Sequence, residues 1–221
     1  YHVEVKHANP SIEDLKNSER FELIGRINHQ QIKEFVVEQL TSDGNIIRYY
    51  MYYQVAMIAV GTFFLVRSVI LAFKYTATEL IYTAAALVFS LTVLVVIHEL
   101  IHGLALKLAG APKVSFGGYL RKFIFYAEAD RFVINRRQFA FIALAPLVLV
   151  KLITLAGIIV FFHHPVFYFL IFVMSAHSLF CAGDIGLLSL FYKYRDGEVF
   201  NYDSKAEKTS YYFKKISSDI L

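Results

Sequence analysis

The chain has 221 residues, 57% of them hydrophobic, with a mean hydropathy of +0.51. That is too apolar for an ordinary soluble domain and fits a multi-pass membrane protein. A formal charge of +4 and a pI near 9.0 suggest nucleic acid at first sight, but the basic residues follow membrane topology, as shown below, so no nucleic-acid partner is expected. The single Cys excludes an internal disulfide framework.

Residues 1–48 are polar and mixed in charge, without a cleavable signal pattern; the chain opens on Tyr1 rather than Met, which leaves a preceding leader open. Within this section Asn28-His29-Gln30-Gln31 has the shape of a capping box. Ile32, Phe35, Val36 and Leu40 follow at helical spacing, and Ser42-Asp43-Gly44 reads as a stop. The spacing predicts an amphipathic helix of roughly three turns, packed on the cytosolic face or serving as a membrane-surface gate or partner site.

Four apolar stretches then follow, at about 51–73, 80–109, 138–162 and 165–192, each long enough to cross a bilayer at ~1.5 Å per residue. The connections Lys74–Glu79 and His163-His164-Pro165 are short, so the stretches pair as helical hairpins. With no Trp, 15 Tyr and 21 Phe must build the interface belts. Six Lys and Arg precede the first span, seven from Lys107 to Arg137 lie between the second and third, and six follow the fourth; the two short connections hold only Lys74. The positive-inside rule then predicts cytoplasmic termini and a cytoplasmic 110–137 loop. In that loop Val114, Phe116, Phe123, Phe125, Phe132 and Ile134 sit in short runs broken by Gly117-Gly118 and Glu128-Ala129-Asp130. This is strand-and-turn chemistry, and predicts a small cytosolic or re-entrant β element against the neighbouring helix. The expected architecture is an all-α membrane protein with four transmembrane helices and that β element between helices 2 and 3. Its parts are a cytosolic segment 1–48, a membrane domain 49–192 and a polar cytosolic tail 193–221 with an Asp196-Gly197 turn signal.

Near the end of the second span stands His98-Glu99-Leu100-Ile101-His102, after the uncharged run 81–97. On a helix two His at i and i+4 share one face, close enough to hold a single Zn²⁺, and the Glu between them can act as general base on a water held there. Imidazole and carboxylate are costly in a bilayer unless they have partners and a function. A catalytic zinc generally takes three protein ligands. The second span descends ~25–32 Å from Ile81 to the His pair, and the fourth ~27 Å from Val166 to Asp184, which places Asp184 at the same depth. Asp184 is also the only acidic residue in the third or fourth span, flanked by Gly183 and Gly186, which allow close approach of another helix or of substrate backbone. Other candidates remain for that position: His177, two turns earlier on the same face and also readable as a hydrogen-bonded residue behind the ligands; Cys181, one turn away; and Glu128 and Asp130 in the loop. Two basic residues lie within spans. Arg67 is near enough to its outer end to snorkel, whereas Lys151 contacts either a polar cavity or a carbonyl freed by Pro146.

A long helix ending in His98-Glu99-Leu100-Ile101-His102, then a strand-forming loop, a third span and a fourth span with Gly183-Asp184 resembles the core of the site-2 type intramembrane metalloproteases. It is more closely similar to a family of small bacterial membrane proteins described as zincin peptidases. The resemblance covers roughly residues 80–192. His98, Glu99 and His102 match the first motif fully. Asp184 matches the Asp of a second motif usually written Leu-Asp-Gly or Asn-Pro-Asp-Gly, where this chain has Ala-Gly-Asp-Ile-Gly. The resemblance implies a Zn²⁺ peptidase of a bacterial plasma membrane that cuts membrane-protein or membrane-peptide substrates near the cytosolic face. It also implies that the loop, with Phe116, Gly117, Gly118, Phe123 and Phe125 as candidates, receives substrate as an added strand. Two other classes stay in view: a membrane zinc hydrolase acting on a lipid or prenylated peptide, and a non-catalytic zinc-containing binding module. Glu99 speaks against the latter, since a structural site has no use for a general base.

Overall fold

A computed structural model describes residues 9–41, 44–119, 124–194 and 197–216. A short helix α1 (Ile12–Leu15) leads into strand β1 (Phe21–Asn28), a 3-10 turn over His29–Gln31 and helix α2 (Ile32–Leu40). Then come α3 (Asn45–Lys74), α4 (Thr78–Leu91), α5 (Val93–Leu108), β2 (Ser115–Tyr119), β3 (Ile124–Glu128), β4 (Ile134–Asn135), α6 (Arg136–Val160), α7 (Val166–Phe180), α8 (Ala182–Lys193), β5 (Val199–Ser204) and β6 (Thr209–Lys215).

Two helices, α3 and α6, are each long and apolar enough to cross a bilayer. The other two expected spans are not single helices. α4 and α5 meet at 46°, and α7 and α8 at 44°, so the chain has two spans by length and composition, or up to four if each bent pair counts as one. At both breaks a side chain bonds back into its own helix. At the first, Thr92 Oγ1 donates to the Val88 carbonyl at 2.7 Å, and its N–H reaches back only to Phe89. At the second, Cys181 Sγ lies 3.4 Å from the His177 carbonyl. A side chain bonded to the i−4 carbonyl competes with the helical ladder and bends it.

α7 lies at the middle of the bundle, packed against α3, α4 and α6. Ala86, Leu94, Val150 and Val173 form one of its cores, and Phe167, Tyr168 and Ile171 another. Outward, Val55, Phe63, Ile70, Leu152 and Ile159 stay exposed, as suits helices solvated by lipid.

The all-α expectation needs correction. Residues from both ends of the chain, joined by β4 from the middle, form one antiparallel sheet of order β1-β6-β5-β4, with Phe21 opposite Lys215 and Asn28 opposite Thr209. Leu15, Phe21, Phe200 and Phe213 pack on one face under α1; Ile27, Val199 and Tyr212 pack on the other against Leu190 and Phe191 of α8. The two terminal segments thus make a platform on which the far end of α8 rests. α2 also covers α8 so closely that a Cβ on Gly186 would come within 3.1 Å of Val36. The loop between α5 and α6 holds the β2–β3 hairpin, in register from Ser115–Glu128 to Tyr119–Ile124. It lies on α5, where the Phe116 ring sits 2.5 Å from the place a Cβ on Gly103 would occupy, so a side chain at 103 would have to displace that ring.

Candidate metal centre

The bends bring α5 and α8 together. His98 and His102 stand one turn apart on α5, both buried, with their Nε2 atoms 3.0 Å apart. Asp184 lies in the first turn of α8, where the helix N-terminus favours a carboxylate. Its Oδ2 is 3.2 Å from His98 Nε2 and its Oδ1 is 3.1 Å from His102 Nε2. Four acceptor atoms therefore converge.

The hydrogen bonds behind them determine what they can do. His102 Nδ1 lies 3.0 Å from the Ile142 carbonyl, which can only accept, so Nδ1 carries a proton and the neutral ring points a bare Nε2 inward. His98 Nδ1 lies 3.1 Å from His177 Nε2. Asp184 Oδ2 is buried without a hydrogen bond of acceptable geometry, although His98 Nε2 is nearby. Lone pairs facing one another at this spacing repel unless a cation lies between them. Ligands about 2.0–2.1 Å from a tetrahedral zinc stand about 3.3 Å from each other, so the donor set fits that ion in both chemistry and size.

Glu99, on the next face of α5, does not join the cluster. The backbone N–H of Ala127 in β3 donates to its carboxylate, so the hairpin and the motif helix meet at that side chain. The remaining candidates are distributed as follows. His177 holds His98 from behind and has Cys181 Sγ 3.8 Å from its Nδ1. His98, His177 and Cys181 form a second group of converging donors that shares His98 with the first. Glu128 is buried in β3 and is engaged by Ser115 Oγ at 3.2 Å and Lys205 Nζ at 3.6 Å; Asp130 accepts from the Lys205 backbone N–H. Neither carboxylate forms a group with the His pair among the described residues. Phe116 and Phe125 are exposed on the hairpin, Gly117 lies beneath the Tyr126 ring, Gly118 pairs with Phe125, and Phe123 falls outside the described residues. Lys151 reaches the Met174 carbonyl and Met57 Sδ, each at 3.1 Å, and lies over the Tyr53 ring. Its carbonyl partner thus belongs to α7 and not to its own helix. Two main-chain groups, the Ile142 carbonyl and the Ala127 N–H, were invisible to a reading of side chains.

Residues 91–199 match a family described as "Putative zincin peptidase". The matched segment runs from the end of α4 to the first residue of β5 and contains all of the converging donors. No curated protein and no solved structure matches the chain. The similarity to that family thus covers the part of the molecule that carries the cluster.

Proposed function

We propose that this chain is an intramembrane zinc metallopeptidase that hydrolyses peptide bonds of membrane-associated substrates near the cytosolic face. The observation that carries this reading is the convergence of His98 Nε2, His102 Nε2 and both Asp184 oxygens at 3.0–3.2 Å, with Glu99 on the same helix. In this reading each bent pair is one span, for four crossings, and the Lys and Arg asymmetry supports cytoplasmic termini.

His98, His102 and Asp184 would hold the zinc, which supplies Lewis-acid polarisation of a peptide carbonyl and lowers the pKa of a water. The side chains do the rest. Asp184 contributes the negative charge that keeps a divalent ion in an apolar bundle. His177 accepts the Nδ1–H of His98, which leaves His98 Nε2 free to ligate. Glu99 takes a proton from the attacking water and, as the C–N bond breaks, delivers it to the leaving amine nitrogen.

The hairpin supplies the substrate surface. Among the described residues β3 pairs only with β2, which leaves its second edge for a substrate strand. A substrate paired along that edge is extended, so its scissile carbonyl is no longer hydrogen-bonded within a helix. The test is Glu99→Gln. Zinc content should stay at the parent level while proteolysis of a membrane-peptide substrate falls by about 10²–10⁴. Undiminished proteolysis would refute the assignment of the base.

A further inference from the structure

A proline inside a helix removes one main-chain donor, and the acceptor it leaves behind lies four residues upstream. α6 contains Pro146, whose side chain is fully buried. The acceptor is therefore the carbonyl of Ile142, and it is the same oxygen that His102 Nδ1 approaches at 3.0 Å from α5. With any other residue at 146, a backbone N–H of the same helix would be directed at that oxygen.

α6 spans its length as one helix, whereas the two sharp breaks, at Thr92 and Cys181, contain no proline. Nor does the freed carbonyl go to the nearest basic side chain, since Lys151 bonds to Met174. The two histidines also differ in how they are held. His98 has a side chain, His177, behind it, while His102 has only the main chain of α6.

We propose that Pro146 is a positioning residue of the metal centre. By withholding a main-chain N–H it reserves the Ile142 carbonyl for His102 Nδ1–H, which sets the tautomer of that imidazole and aims Nε2 at the site. This rests on His102 being a ligand and goes beyond it: a residue that touches neither metal nor substrate controls the affinity of the site. Partners that orient ligating histidines are typically worth about 10–100-fold in metal affinity.

The test compares three versions of the full chain in lipid nanodiscs: the parent, Pro146→Ala, and a chain with lactic acid at position 146. Lactic acid, like proline, lacks an N–H but has no ring. Zinc affinity is read by chelator competition. Pro146→Ala should weaken zinc by about 10–100-fold, and the lactic-acid chain should bind close to the parent. Parent-like affinity in Pro146→Ala would overturn the proposal. So would equal weakening in the lactic-acid chain, since the loss would then come from missing ring contacts. His102→Ala in the same assay separates the two layers of the argument. If it keeps zinc, the ligand assignment falls; if it loses zinc while Pro146→Ala does not, only the role of Pro146 falls. Should Pro146→Ala not fold, the lactic-acid chain and histidine ¹⁵N spectra of the zinc-loaded parent decide. A His102 proton on Nδ1 is expected, and one on Nε2 would overturn the proposal.

Discussion

Two polar clusters lie inside the apolar bundle, and they are complementary in kind. Around Lys151 donors and acceptors are largely matched: the ammonium has a carbonyl, a thioether and an aromatic face, while Gln54 and Tyr50 both donate to the Ser178 carbonyl and Ser178 Oγ donates to Gln54. Around Asp184 acceptors face acceptors. At membrane depth no water repairs such a defect, so a polar group is satisfied internally or held for a ligand. The first cluster joins α3, α6 and α7, with Tyr53 OH and Ser175 Oγ as buried groups that lack a hydrogen-bond partner. The second carries the donor set of the proposed zinc site.

The largest expected effect breaks that comparison in two. Asp184→Asn should lower zinc affinity strongly, since it removes the one anion among the donors, and His98→Ala should leave too few ligands to retain the ion. Lys151→Met should keep full zinc, because an apolar side chain of similar length replaces a cation that is no part of the site. Zinc analysis of the purified variants checks this. If Lys151→Met lost zinc and Asp184→Asn kept it, the roles of the two clusters would be reversed.

Residue spacing alone pointed to the members of this cluster. The i, i+4 histidines share a face of the helix, and the expectation of equal descent along two spans led to Asp184, which stands 3.1–3.2 Å from them. What spacing did not contain were the bends, at each of which a side chain, Thr92 or Cys181, bonds back to its own helix. The sheet was hidden for a different reason. β1 has alternating Phe21, Leu23, Gly25 and Ile27, but its partner β6 lies at the other end of the chain, and no local pattern specifies a pairing across that distance. Its loss from the reading mattered, because the sheet seats the end of α8 and so helps place Asp184.

A smaller effect sharpens the same rule in the sheet. Asp203, in β5, accepts from Ser210 Oγ at 2.6 Å, and burial pushes its carboxyl above the usual carboxylate range despite that donor and the nearby His29; Glu128 and Asp130 add to the rise. An acid whose folded pKa is raised holds its proton more tightly folded than unfolded. Its contribution is complete below the unfolded value of about 3.9 and is lost as pH climbs through the folded one. The thermal midpoint should therefore decline across that window, and Asp203→Asn should flatten the decline. An unchanged slope in the variant would remove Asp203 as its source.

In the proposed centre one zinc is held by two imidazoles and a carboxylate. X-ray absorption at the zinc edge of the purified, zinc-loaded protein tests it most directly, because a second group, His98 with His177 and Cys181, competes for the same histidine. The account predicts a first shell of nitrogen and oxygen only, at about 2.0–2.2 Å, with the outer-shell signature of two imidazoles. A sulfur scatterer at about 2.3 Å would place Cys181 on the metal and contradict the account.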